Sequence, residues 1–507
     1  MRTNTTFQFG DVSIAFVERE LKKLRRNKST GIDDLPPGML KDVASEIAKP
    51  ISYIINLSLR TGQVPTDWKI ARVVPLHKSG SAADVNNYRP ISILPVISKV
   101  LERAVHHQLM DYLERNKLLS DKQFGYRSKR STELATALFV DSIRRSGDKG
   151  LLSGAVYLDL SKAFDTLDHS RLLEKMKSYG IIELALTWFT DYLFQRSQVV
   201  KLGQELSDPC PLTCGVPQGS ILGPIMFLLF FNDFEDCLHH SSVIQFADDT
   251  VIYLSSKSID EIEDNLNRDL ASISTYLSCN DLVINLKKGK TECMLLGTSK
   301  RISAVAPDLR DLNLSCNGTK INCTQSYKYL GTVLDQQLNL AENFDKKYKK
   351  ASAKLGLLRK LKPLMTIKAA NAVYTSAIIP ALNYNCIIQL NLTQTQLKKL
   401  KSIEARASSI LKSKTCNLKH EIDKHAILLV RKCLNGKVCT NFHDYFIINE
   451  HNARTRNRNI ILRIPKVKLE FAKNGFFFMG ARLYNSLPKA IRESGDDFEN
   501  KVNIFFK

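Results

Sequence analysis

An α/β fold, followed by a basic helical unit and a short α+β tail, is what this sequence predicts, and three observations predict it. Apolar runs of strand type alternate with amphipathic helical segments from about residue 70 to 340. Beyond Glu342 the strand-type runs stop, and helical spacing continues with a large excess of Lys and Arg. The 507 residues, 44% of them hydrophobic, suffice for two or more domains with buried cores.

Residues 1–70 read as a basic helical extension, expected to serve as a template-binding region, in which "VERELKKLRRNK" precedes the turn-forming "STGIDDLPPG". Residues 71–340 form the mixed region. "ARVVPLHK" reads as a strand. "SKVLERAVHHQLMDYLERN" reads as a helix, with Val100, Leu101, Ala104, Val105, Leu109, Tyr112 and Leu113 near one face. "GAVYLDL" is strand-like again, and "HSRLLEKMKSYG" is a helix that Gly180 stops. The longest apolar run, "ILGPIMFLLFF", contains Gly223 and Pro224 and falls short of the roughly 20 residues a bilayer span takes, so it is expected to be buried. Ser258 and Glu261 have the spacing of a capping box, ahead of an apolar face through Ile259, Ile262, Leu266, Leu270 and Ile273.

Residues 341–415 are the basic helical unit, with 15 Lys or Arg against 3 acidic residues between Glu342 and Lys414 and a break at "LKPLMT". Residues 416–507 are less regular, although "RIPKVKLEFAKNGFFFMGARLYNSLP" is apolar enough to fold. Arg454, Arg456 and Arg458 alternate there, as a strip facing nucleic acid or solvent would.

Seventy-three Lys and Arg against 51 Asp and Glu leave a net charge of +22. Such an excess points to a polyanionic partner, nucleic acid ahead of a membrane surface. The N-terminal residues contain no apolar signal region, so an intracellular chain, nuclear or cytoplasmic, is expected. Eleven scattered cysteines agree with reduced thiols. Cys433 and Cys439 lie near His443, and Cys416 near His420 and His425, but no pair has C-x2-C spacing, so a zinc site is not the favoured reading.

The chemistry concentrates in "VIQFADDTVIYL", where Asp248 and Asp249 sit between two β-rich runs. A tight turn favours Asn-Gly or Asp-Gly, so adjacent carboxylates there call for another explanation. Asp159 ends the "GAVYLDL" strand and supplies a third carboxylate. Two such charges about 4 Å apart repel by roughly 4 kcal/mol at an effective dielectric of 20. Cations between them, or raised pKa values, are then required. Magnesium suits hard oxygen ligands and keeps phosphate oxygens in its shell. Two such ions activate an attacking hydroxyl and stabilise a leaving oxygen in phosphoryl transfer, the arrangement of a polymerase palm.

The blocks "LDLSKAFD", "GVPQGSILGP", "FADDT", "NLKKGKTE" and "YKYLGTVLD", in this order, closely resemble the motif series of reverse transcriptases. Upstream, "NKSTGIDDLPPGMLK", "NNYRPISILPVISKVLER" and "LSDKQFGYRSKRST", and downstream "AIIPALNYNCII", resemble the LINE-type, non-LTR retrotransposon branch and within it a jockey-like subgroup. The resemblance runs from about Asn27 to "FFMGARLYNSLPKAI". It implies a right-hand polymerase: fingers and palm in residues 71–340, a helical thumb in 341–415 and a C-terminal region of unknown role. The implied reaction is primer extension with dNTPs on an RNA template, with two Mg2+ ions as cofactors and Mn2+ as a substitute.

Carried over residue by residue, the resemblance makes Asp159, Asp248 and Asp249 the catalytic carboxylates, with the Leu160 carbonyl completing one metal shell. Phe164 falls at the position of a steric gate that rejects a 2′-OH by clash; its alternative is a core ring. Arg89 matches the fingers arginine that grips triphosphate, and Lys78 is a second phosphate contact or an exposed lysine. Gly215 and Gly219 allow tight backbone geometry, from which Gln218 reaches template or nucleotide. Lys290 matches the general acid for pyrophosphate or is a solvated lysine. Tyr329, Leu330 and Gly331 fit the primer-holding hairpin.

Two departures stand out. Relatives usually carry an N-terminal endonuclease; no room for it is found here, so nicking falls to a separate endonuclease domain or protein, and the chain reads as a piece of a longer frame. Gln389 stands where relatives tend to have tryptophan. The rivals are a decayed or repurposed RNA-binding protein, against which the three intact aspartates argue, and an RNA-dependent RNA polymerase, against which Phe164 argues.

Overall fold

The computed structural model describes residues 2–506 apart from Ser79, Lys414 and 450–460. Arg454, Arg456 and Arg458 lie outside the described residues. The chain divides into two compact units, Met1–Tyr126 with Leu160–Leu238 and Ser272–Asn285, and Arg127–Asp159 with His239–Ala271 and Leu286–Lys507.

The first unit opens with helices Ile14–Lys22, Pro37–Asp42 and Ala44–Thr61, as the basic N-terminal pattern predicts. Strand Ile70–His77 pairs antiparallel with Tyr88–Ile93 and parallel with Ser197–Leu202. The long apolar run forms helix Leu222–Phe231, buried at every residue but Pro224. Its N-terminal amide at Ile221 donates to Glu102 Oε2 at 2.5 Å, and the Tyr192 hydroxyl donates to Oε1 at 2.7 Å. A buried carboxylate thereby meets the positive end of an apolar helix, whose first turn is also capped by the Ser220 hydroxyl accepting from the Gly223 amide at 2.9 Å. Burial raises the Glu102 pKa, against the pull of these donors.

The second unit is built on a five-stranded sheet in the order Asn322–Cys323, Glu292–Leu296, Leu152–Leu158, Asp249–Ser256, Ser242–Phe246. All seven residues of the central strand are buried, which explains its near-continuous apolar character. A Cβ at Gly154 would lie 2.4 Å from Ile262 and 2.9 Å from Leu266, so only glycine lets the helix Ile259–Cys279 approach this strand. The face predicted for that helix is correct, with Ile262, Leu266, Leu270 and Ile273 fully buried. Its capping box is not as predicted. Glu261 accepts from the Ser256 hydroxyl, and the Ser258 amide donates to the same Ser256 oxygen.

Helices Ala341–Leu361 and Gln394–Leu411 carry most of the basic residues, and a 3-10 turn at Lys362–Leu364 is the predicted break. The C-terminal segment corrects an expectation. Among its described residues it is helical, with Leu418–Leu434, Phe476–Asn485 and Phe498–Phe505 as its main helices. Its β structure is a single bridge, Ile448 with Leu462. Phe476, Phe477, Gly480, Ala481 and Tyr484 are buried at helical, not alternating, spacing. Helix Thr132–Asp148 binds this segment through a buried carboxylate: Asp141 accepts from the Phe476 and Phe477 amides at 3.0 and 3.1 Å.

Candidate active site

In the sheet-bearing unit, strand Leu152–Leu158 ends one residue before Asp159. Its register against the neighbouring strand closes with Leu158 opposite Thr250. Continued by one residue, that register sets Asp159 opposite Asp249, about 4.5–5.5 Å apart at Cα. Asp248 occupies the turn itself, because Phe246 pairs with Asp249 and leaves only Ala247 and Asp248 between. Sheet topology thus gathers the three carboxylates at one end of two adjacent central strands. Asp159 and Asp248 are half-buried and Asp249 is exposed.

The Asp159 amide donates to Thr291 Oγ1 at 3.2 Å, and Lys290 Nζ stands 3.7 Å from Asp159 Oδ2. Lys290 is held from behind, since the Tyr327 hydroxyl donates to its carbonyl at 3.1 Å. Tyr327 stacks on Tyr157 with centroids 4.0 Å apart and planes 12° from parallel. Burial raises the Tyr327 phenol pKa, and the charges of Asp159, Asp249 and Glu292 raise it further. Burial and the Asp249 charge act on Tyr329 in the same direction. A shared negative field therefore covers this end of the sheet. Hard carboxylate oxygens in such a field, partly open to solvent, fit a hard divalent cation.

Tyr329 is buried and closes a hairpin against Thr332, with Leu330 and Gly331 as its two-residue turn. Both turn residues are left-handed, φ 44° and 79°, as a type I′ turn requires. The Tyr384 hydroxyl donates to the Leu330 carbonyl at 2.9 Å.

The other predicted residues belong to the first unit. Leu160 bridges Ile284. Phe164 is half-buried, stacked on Phe227 at 4.5 Å with Tyr126 edge-on at 6.4 Å. Its carbonyl accepts from the Val216 amide at 2.9 Å, which ties it to the "GVPQGS" loop. Gln218 Nε2 donates to Asp165 Oδ1 at 2.6 Å, so its amide is engaged within the loop. Burial raises the Asp165 pKa, and the Gln218 bond opposes that. A Cβ on Gly215 would lie 2.5 Å from the Asp165 carbonyl oxygen, and one on Gly219 2.4 Å from that of Ser92. Lys78 and Arg89 are exposed on the antiparallel hairpin, Arg89 opposite Leu76.

Three contributors escaped sequence reasoning: Asp165, Tyr327 and Tyr384. The alternation of "YKYLG" was the available signal for Tyr327, because residues two apart share a strand face. Asp165 stood inside a quoted motif, but its pairing with Gln218 needs the fold.

Residues 76–334, half of the chain, match the family described as reverse transcriptase (RNA-dependent DNA polymerase). The probable RNA-directed DNA polymerase from transposon BS of Drosophila melanogaster is 27% identical over 78% of this chain and 44% of its own length. The RNA-directed DNA polymerase from mobile element jockey of the same fly is 26% identical over 78% of this chain and 43% of its own. The probable enzyme from transposon X-element is 24% identical over 76% and 42%. The chain thus spans less than half the length of these relatives. With the ordered motifs and the three gathered carboxylates, the matches lead to one conclusion: the chain belongs to the reverse transcriptase family, in its LINE-type retrotransposon branch.

Proposed function

We propose that the chain is an RNA-directed DNA polymerase that extends a primer 3′-OH with deoxynucleoside triphosphates on an RNA template, releasing pyrophosphate. The observation that carries this reading is the convergence of Asp159, Asp248 and Asp249 at one end of a buried sheet. Asp159 and Asp248 would hold the metal, with Asp249 keeping the charge and geometry of the site and the Leu160 carbonyl adding a ligand. Two magnesium ions, or manganese in their place, would supply Lewis acidity for the attacking hydroxyl and the triphosphate.

Lys290, held by Tyr327 beside Asp159, is the proton donor for pyrophosphate. Arg89 and Lys78 are assigned to the triphosphate, Gln218 and Gly219 to nucleotide and template, and Phe164 to the sugar gate. Tyr329, Leu330 and Gly331 are assigned to the primer end. In the same reading the mixed region is fingers and palm, residues 341–415 are the thumb, and the basic helices meet phosphate backbones with little sequence preference. Among the described residues no helix is long and apolar enough to cross a membrane. Nicking of target DNA is assigned to a separate endonuclease domain or protein.

Primer extension on a poly(A) template tests the reading. The wild type should extend with dNTPs, and Asp159→Asn should abolish extension while retaining RNA binding. Near wild-type extension by that variant would sink the metal assignment, and a wild type that binds RNA yet never extends would favour a repurposed binding protein. The same assay tests the gate. Phe164→Val should raise ribonucleotide use relative to deoxynucleotide by tenfold or more, about 1.4 kcal/mol. A fixed ratio with both rates lowered makes Phe164 a core ring stacked on Phe227.

A further inference from the structure

Away from the three aspartates, the sheet-bearing unit brings together a second set of metal-ligating side chains. Glu133 lies in the first turn of helix Thr132–Asp148, Cys386 begins a 3-10 turn, and His425 lies within helix Leu418–Leu434. A carboxylate oxygen, the thiol sulfur and an imidazole nitrogen lie within 4.8 Å of one another. His425 Nε2 is 2.8 Å from Glu133 Oε2. The other oxygen, Glu133 Oε1, is buried and has no hydrogen-bond partner. Cys386 is buried as a free thiol.

We infer that Glu133, Cys386 and His425 form a zinc site. Sulfur, nitrogen and oxygen donors together suit zinc, whereas magnesium takes oxygen alone. Bonds of about 2.0–2.3 Å put tetrahedral donors roughly 3.3–3.8 Å apart, so the widest pair needs to close by about an ångström while the 2.8 Å pair of His425 and Glu133 opens slightly. A water completes the fourth position. A thiolate and a carboxylate balance the dication, and the ion gives the orphaned Glu133 oxygen its missing partner. In the metal-free chain the Lys347 ammonium lies within electrostatic reach of the Glu133 carboxylate and the neutral Cys386 thiol, and the thiol releases its proton to solvent as the ion binds. The site ties together three segments: the helix under the sheet, the turn between the two basic helices and the C-terminal helix. The proposal is independent of the polymerase reading.

The test is metal titration of the full chain after chelation. One zinc should bind per chain and raise Tm. Cobalt in its place should show a near-ultraviolet thiolate-to-cobalt charge-transfer band, which carboxylate sites lack. Cys386→Ser and His425→Ala should lose the band and weaken binding at least about a hundredfold, more than loss of an outer-sphere partner costs. Cys433→Ser, on the same C-terminal helix, should keep both. Absence of the band in the wild type, or its survival in Cys386→Ser, overturns the site. The wild-type spectrum decides the matter even where a variant folds poorly.

Discussion

Two tight hairpins in the sheet-bearing unit meet the same geometric demand with different residues. Phe246 pairs with Asp249 and Tyr329 with Thr332, each across a two-residue turn. In the second turn Leu330 and Gly331 are both left-handed, and Gly331 takes the larger angle. In the first, Ala247 alone is left-handed, at φ 57°, the first central position of a type II′ turn, where glycine is usual. A left-handed residue other than glycine costs about 1–2 kcal/mol. Leu330 carries the same cost at its own first position, so what separates the hairpins is the residue that follows: a glycine under the Tyr384 ring in one, and a carboxylate, Asp248, in the other. Such strain is tolerated when the surrounding sheet over-determines the conformation, and Ala247, 4% exposed, is so enclosed.

The largest expected effect separates the two hairpins by chemistry. Asp248→Asn should lower primer extension about a thousandfold or more, roughly 4 kcal/mol in the barrier. Its Tm should move by less than about 2 °C, because a half-buried turn carboxylate contributes little to the core. Matched losses of stability and activity would make this turn structural too, and the contrast would break.

Acid titration sharpens the same distinction between fold and chemistry. Burial pushes the Asp141 pKa up to about 6, with Arg144, Arg145 and the Phe476 and Phe477 amides opposing. The native state therefore holds this proton more tightly than the unfolded chain, with its ordinary value of 3.8, does. The stabilisation is fully present below about pH 4 and is lost as pH rises through about 6; it amounts to at most about 3 kcal/mol. The stability of the wild type relative to Asp141→Asn should thus fall between pH 4 and pH 7. A difference flat across that window would show that Asp141 titrates normally.

Gly331→Ala should destabilise the chain by about 1–2 kcal/mol, since φ is 79° and the new Cβ would meet the Tyr384 ring at 3.1 Å. Denaturant unfolding measures it, and extension should fall only severalfold. A loss of extension as large as that in Asp248→Asn would give this turn a direct part in the chemistry.

Much of this contrast was legible before any coordinates. The buried strand Leu152–Leu158 and the helix Leu222–Phe231 are near-continuous apolar runs, and motif order tied Asp159 to Asp248 and Asp249. Three things were not. The left-handed Ala247 follows from strand pairing, and no propensity rule places alanine there. Ser256 replaces Ser258 at Glu261 because the strand delivers its hydroxyl first. Glu133 is separated from Cys386 and His425 by about half of the chain, and only tertiary packing collects the three. The C-terminal tail misled for the opposite reason: a mix of strands and helices was expected of it, while burial at helical spacing decided the outcome.

The smallest effect is the most pointed. Ala247→Gly keeps the turn and removes its strain, recovering about 1–2 kcal/mol of left-handed cost. Glycine returns roughly 0.5–1 kcal/mol of that through the greater freedom of the unfolded chain. The net should be a stabilisation of about 0.5 kcal/mol, a rise of about 1 °C or less in Tm for a chain of this size. Activity should move the other way. The alanine restricts the backbone that carries Asp248, so the glycine variant should extend primers a fewfold more slowly with KM for dNTP unchanged, a loss confined to kcat. Stability and kcat measured on the same preparation decide it. A destabilisation above about 1 kcal/mol would mean that the buried methyl packs more than the turn strains, because removing a buried methylene costs about that much. The two hairpins would then differ in packing alone.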